Sequence, residues 1–219
     1  MSVYTIIGIV GIVCGILCAL ADVPLAYSGE KDQDISKADS SVGNICSWWT
    51  KVSEKHFDIA FWLSCIGQPG TYLTMWMLAE IIGRTSPSLS LALKINTFLG
   101  AYTGLLFHAT ACQKPLVYRA IHGKLSDADT EAAVKKLDKY PAVPNMISAL
   151  TLFLGTTVIT AAAILTGALD VPKFFLAFNP IGAIIPLMIL KKLGIKIVGP
   201  LGAGFTLFSV LLVYASLTM

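Results

Sequence analysis

Hydrophobic and polar positions along the chain fall into long apolar runs separated by short polar ones. A helix rises 1.5 Å per residue and a hydrocarbon core is roughly 30 Å thick, so about 20 apolar residues suffice to cross it. Six segments meet that requirement: residues 3–26, 57–83, 89–112, 145–168, 174–190 and 197–217. The second carries a polar break, Gly67-Gln68-Pro69-Gly70, and the fifth carries Asn179-Pro180, Gly182 and Pro186. Alternation of period two, the mark of a half-buried strand, does not organise these runs. The pattern predicts an all-α, polytopic membrane protein: one bundle of about six transmembrane helices spanning 1–219.

Two polar stretches are long enough to hold structure of their own. Ser126 followed by Asp129 forms a capping box, and Ala128, Ala132, Ala133, Val134 and Leu137 recur at helical spacing before Pro141 and Pro144 stop the helix. A short amphipathic helix is expected there. In the other, Trp48 and Trp49 precede Lys51 and Lys55, a pattern suited to the headgroup level or to the mouth of a ligand entrance.

Composition agrees with this picture. Of 219 residues, 55% are hydrophobic and 13% charged, and mean hydropathy is +0.73, whereas soluble domains carry roughly a quarter charged residues. No Pro-, Ser- or Gly-rich linker divides the chain. Residues 19–21, Ala-Leu-Ala, resemble a signal-peptidase site, but the first run lacks a basic flank and is too long for a signal core, which predicts a retained transmembrane helix. The five cysteines, Cys14, Cys18, Cys46, Cys65 and Cys112, show neither a disulfide framework nor metal-ligand spacing. No metal or other cofactor is expected, and a net charge of +3 does not suggest a nucleic-acid partner.

Orientation follows from the basic residues, which accumulate in short cytoplasmic loops. Lys31, Lys37, Lys51 and Lys55 follow the first segment. Lys114, Arg119, Lys124, Lys135, Lys136 and Lys139 follow the third, and Lys191, Lys192 and Lys196 follow the fifth. The opposite loops hold only Arg84 and Lys173, while Lys94 falls within the third segment. This places loops 27–56, 113–144 and 191–196 in the cytoplasm, and both termini outside it.

An ionisable side chain within hydrocarbon costs about 2.5–3.5 kcal/mol on insertion scales, so each needs a partner, a cavity or a purpose. Asp22 and His108 lie at one depth, about four residues inside the cytoplasmic ends of their helices, and could meet as an acid–base pair. His56 and Asp58 could join them. Glu80 and Lys94 lie on the two arms of a hairpin, where an ion pair would fix its register.

Pro69 frees a backbone carbonyl one turn earlier, and such breaks line binding sites in transporters. The corresponding break in the fifth segment gives the two three-helix halves the pattern of an inverted repeat. Small residues at Gly8, Gly11, Gly15, Gly100, Gly104, Gly199, Gly202 and Gly204 suit close helix packing, and Gly100 with Gly104 suits either packing or a homodimer.

Three functions fit. The first is a carrier or binding protein for a small or amphipathic molecule, with Gln68, Asn179 and Cys65 at a midplane pocket and Asp22 with His108 as a proton-coupled element. The second is an intramembrane enzyme acting on a lipid, sterol or isoprenoid-like substrate from the bilayer, with Asp22 and His108 as acid and base and Trp48, Trp62 or Trp76 shaping an apolar pocket. The third is a non-catalytic assembly or immunity-type protein. A polar cavity at Gln68 marks the first, a lateral opening at Asp22 and His108 the second, and filled helix contacts alone the third.

Overall fold

The computed structural model describes residues 1–26, 47–194 and 200–219. Lys31, Lys37, Cys46, Lys196 and Gly199 lie outside the described residues, as does the start of the sixth segment. All regular secondary structure that is described is helical. The α-helices are α1 (Val3–Ala21), α2 (Val23–Ala26), α3 (Lys55–Gly83), α4 (Pro87–Ile121), α5 (Asp127–Leu137), α6 (Lys139–Ser148), α7 (Thr156–Leu165), α8 (Pro180–Lys192) and α9 (Pro200–Leu217). A π-helical turn, Ala149–Gly155, joins α6 to α7, and 3-10 turns occupy Ser47–Thr50 and Lys173–Ala177.

Three helical stretches are long and apolar enough to cross a membrane: Val3–Leu25, Pro87–Ile121 and Lys139–Leu165. The helix α3 is longer than the first of these, at 29 residues, but less apolar. Both α8 and α9 are shorter apolar helices.

The helix α1 packs between α3 and α9, α3 between α1 and α4, and α4 against α6 and α7. Small residues make the close approaches. A Cβ on Gly15 would lie 2.6 Å from Thr206 Oγ1 and 2.7 Å from Thr206 N in α9, and one on Gly67 would lie 2.7 Å from the Cys14 carbonyl oxygen. The glycines beside Pro69 thus seat α1 against α3. The helix α3 runs unbroken through Pro69, so the polar stretch at 67–70 is a contact surface inside a continuous helix.

Several boundaries differ from the apolar pattern. The helix α4 continues past Cys112 to Ile121 and ends where Gly123 adopts a φ of +78°, the left-handed turn that glycine allows at a helix C-terminus. Pro141 and Pro144 do not stop α5; they lie within α6, and Pro141 falls in its first turn, where N–H groups lack helical partners. The fifth segment is not one helix. Phe174, Phe175 and Phe178 stack in and just beyond a 3-10 turn, and α8 begins only at Pro180.

The main core joins α3, α4, the π-helical turn, α7 and α9 through Met75, Leu78, Leu93, Leu152, Ala163 and Phe208. A second cluster gathers Leu25, Trp48, Trp49, Phe57, Cys112 and Val134 at the other end of the molecule from the α3–α4 turn. Trp48 and Trp49 are 9% and 3% exposed, which places them in a small core under α5 and not in an outward aromatic belt. The segment containing Lys51 and the helix containing Lys135 therefore share one end, here termed the basic end.

Two cationic side chains fix that end. Arg119 Nη1 donates to the carbonyl oxygens of Trp49, at 2.7 Å, and Val52. Lys114 Nζ lies 2.8 Å from Asp138 Oδ1 at the α5–α6 elbow, with side chains 8% and 18% exposed. A buried charge demands such a partner, because removing one leaves the other desolvated and alone.

Candidate functional site

Pro24 lacks an N–H and cannot donate to the carbonyl of Leu20, one turn earlier. The Asp22 N–H takes that acceptor, α1 ends, and Asp22 becomes its C-cap. On α4, His108 faces the same flank of α3. Its Nδ1 lies 3.8 Å from Asp22 Oδ1, and its Nε2 lies 3.3 Å from the carbonyl oxygen of Ala60 in α3. Ala60 is fully buried, and its small side chain lets the imidazole reach the backbone.

The distances assign roles. At 3.8 Å the carboxylate and imidazole are within ion-pair reach but outside hydrogen-bond range. With Nε2–H donating to Ala60, the Nδ1 lone pair is turned toward Asp22, and direct proton exchange between the two groups requires them to close from 3.8 Å to hydrogen-bond range. The His108 side chain is 12% exposed and that of Asp22 34%; the carboxyl is the accessible member and the imidazole the anchored one.

Thiols surround the pair. Cys18 is one turn before Asp22 and Cys112 one turn after His108, so each shares a helix face with its partner. Cys65 of α3 is half-buried, while Cys18 and Cys112 are buried. Residue spacing of four carries this signal in the sequence, although only Cys65 was singled out there. Among the described residues no group of three or more His, Cys, Asp or Glu side chains could hold a metal ion.

Other expected site residues are placed elsewhere. The His56 ring packs on Trp48 and Phe57, and Asp58 is exposed in the first turn of α3, where a carboxylate favours the helix dipole. Trp62 is 62% exposed on the outer surface of the bundle. Gln68 is buried and satisfied: its Nε2 donates to Ser64 Oγ at 2.6 Å, and Tyr72 Oη donates to its Oε1 at 3.3 Å. Asn179 caps α8, its Oδ1 accepting from the Gly182 N–H at 2.9 Å and the Thr157 hydroxyl at 3.0 Å, while its Nδ2 donates to the Leu176 carbonyl at 2.5 Å. These two amides are spent on the protein itself.

Asn96 is a third amide with a structural task. Its Nδ2 donates to the Thr151 carbonyl at 2.9 Å and to Thr156 Oγ1 at 3.0 Å. It thereby ties α4 to the π-helical turn, whose Thr151 carbonyl also accepts from the Thr156 N–H and, at 3.1 Å, from the Thr156 hydroxyl. At the opposite end of the bundle, Lys94 Nζ lies 2.7 Å from Glu80 Oε1, joining the arms of the α3–α4 hairpin.

Comparison with known proteins gives one match. A family model described as a family of unknown function (DUF6796) matches residues 1–219. No curated protein and no solved structure matches the chain.

Proposed function

We propose that this chain, which belongs to the DUF6796 family over its whole length, is a six-span membrane protein whose Asp22–His108 pair exchanges a proton with the polar group of a lipid-like molecule entering from the bilayer. The spans are α1, α3, α4, α6 with α7, α8 and α9. Two neighbours support counting α3 among them: it lies between α1 and α4, and its 29 residues extend about 44 Å. The helices α8 and α9 pack on one another and α9 on α1, which keeps them in the same slab. The basic end faces the cytoplasm and both termini face away from it, because lysine and arginine concentrate in the loops of that end.

One observation carries the functional reading: a carboxyl and an imidazole face each other at 3.8 Å, with the carboxyl accessible from the bundle surface. Ionisable groups at membrane depth are expensive, which favours a purpose for the pair. Asp22 is the general acid or base that meets the ligand, and His108 holds or returns the proton while Ala60 fixes its ring. A midplane carrier is less well supported, since Gln68 and Asn179 already have internal partners.

A structural latch between α1 and α4 is the competing reading, favoured by the bond from His108 to the α3 backbone. Purified protein, Asp22→Asn and His108→Ala, each with its co-purifying amphiphiles identified by mass spectrometry and its thermal midpoint recorded, separate the two. The proposal predicts a co-purified amphiphile reduced about tenfold or more in both variants, with midpoints shifted by no more than about 4 °C. Unchanged ligand content together with a large fall in both midpoints favours the latch.

A further inference from the structure

At the hairpin end, remote from Asp22 and His108, a cleft of about 450 Å³ opens between the start of α1 and the α3–α4 turn. Its walls include Tyr4, Glu80, Arg84, Ser90, Leu91 and Lys94. That volume is within the range of small-ligand sites, roughly 300–1,000 Å³. The charges are arranged unequally. Glu80 is committed to Lys94 at 2.7 Å, while Arg84 stacks over the Tyr4 ring at 5.4 Å and has no carboxylate partner among the described residues.

The cleft therefore holds two cations against one carboxylate, with the surplus on a guanidinium. A guanidinium offers paired N–H donors that match the oxygens of a phosphate, and Tyr4 holds it in place. The rim is apolar: Leu91 is 59% exposed and Trp76 39%, and Lys94 rests over the Trp76 ring at 5.5 Å. Exposed Ile95, Phe98 and Tyr102 continue along α4. A polar recess that opens onto an apolar helix face fits an amphiphile lying along the bundle with its head in the recess.

We infer that this cleft binds a phosphate-bearing anion through Arg84, with Lys94 as the second cation, and that the phosphate is the head group of a membrane lipid. The site is separate from the acid–base pair at the basic end and does not depend on its function.

The test uses the full chain in nanodiscs of phosphatidylcholine doped with phosphatidylglycerol. Native mass spectrometry counts retained lipid, and a parallel arm measures inorganic phosphate binding to the detergent-solubilised protein. Arg84→Gln removes the proposed ligand at an exposed position, where folding is not at stake. Lys173→Gln makes the same charge change at an exposed position of the same end, outside the cleft.

The expected result is phosphatidylglycerol enriched about tenfold over its share of the disc, lost in Arg84→Gln and kept in Lys173→Gln. Saturable phosphate binding that Arg84→Gln abolishes, without lipid enrichment, retains the site and assigns it to the soluble ion. Neither lipid enrichment nor phosphate binding, or equal loss in both variants, overturns the inference.

Discussion

At the scale of single residues, the arrangement depends on groups that have no room or no water. A side chain on Gly15 meets the backbone of Thr206, so Gly15→Val forces α1 and α9 apart; an overpacked contact of this kind costs about 1–3 kcal/mol, readable as a lower unfolding midpoint in detergent. Lys114 and Asp138 are a sharper case. Lys114→Met leaves the half-buried Asp138 carboxylate without its cation and is expected to cost about 1–3 kcal/mol, whereas Lys114→Met with Asp138→Leu recovers most of the loss because an apolar pair needs no solvation. If the double variant unfolds as early as the single one, the pair is not the source of the cost. Sequence reading reached Asp22 with His108 and Glu80 with Lys94 because each stood out as a charge in an apolar run. It missed Lys114 with Asp138, since both residues look like ordinary loop charges when the end of α4 is set at Cys112. It also gave Gln68 and Asn179 to a ligand, because a buried amide announces only that it needs partners and not which ones.

At the scale of elements, signals contained within one turn were the legible ones. Ser126 and Asp129 predicted the start of α5, and in the structure Ser126 Oγ accepts from the Asp129 N–H at 3.2 Å. Ser126→Ala is expected to cost about 1 kcal/mol of local helix stability; faster hydrogen exchange at residues 127–130, with α3 and α4 unchanged, is the corresponding readout. Signals that depend on a second element were not legible. The π-helical turn at Ala149–Gly155 leaves no mark in an apolar run, because what completes it is Asn96 from α4. Asn96→Leu is expected to cost about 1–3 kcal/mol by removing the two hydrogen bonds that tie α4 to this turn, and a midpoint equal to that of the unaltered protein would remove this role. The prolines misled in one direction: Pro69 sits inside a continuous α3, while Pro141 and Pro144 sit in a new helix. Proline deletes a donor wherever it stands, and only the neighbouring chain decides whether the helix survives.

At the scale of the whole molecule, an all-helical bundle with the Lys51 segment and α5 at the same end was legible, because apolar length and the placement of basic residues are properties of the chain and not of its contacts. The order of packing was not. The meeting of Asp22 and His108 does not need α1 and α4 to pack side by side: the two helices flank α3, and Asp22 reaches past it to His108. The depth of that site, and its access from the bilayer, rest on how the chain is threaded. Four of the five cysteines lie within α1, α3 and α4; with Cys46 replaced by serine, single cysteines introduced at Ser53, Lys136, Ser88 and Thr218 can be labelled with a membrane-impermeant maleimide in sealed vesicles. The account predicts that positions 53 and 136 react from one side only, and 88 and 218 only from the other. Labelling of 53 and 136 from opposite sides, or of all four from both, would contradict it.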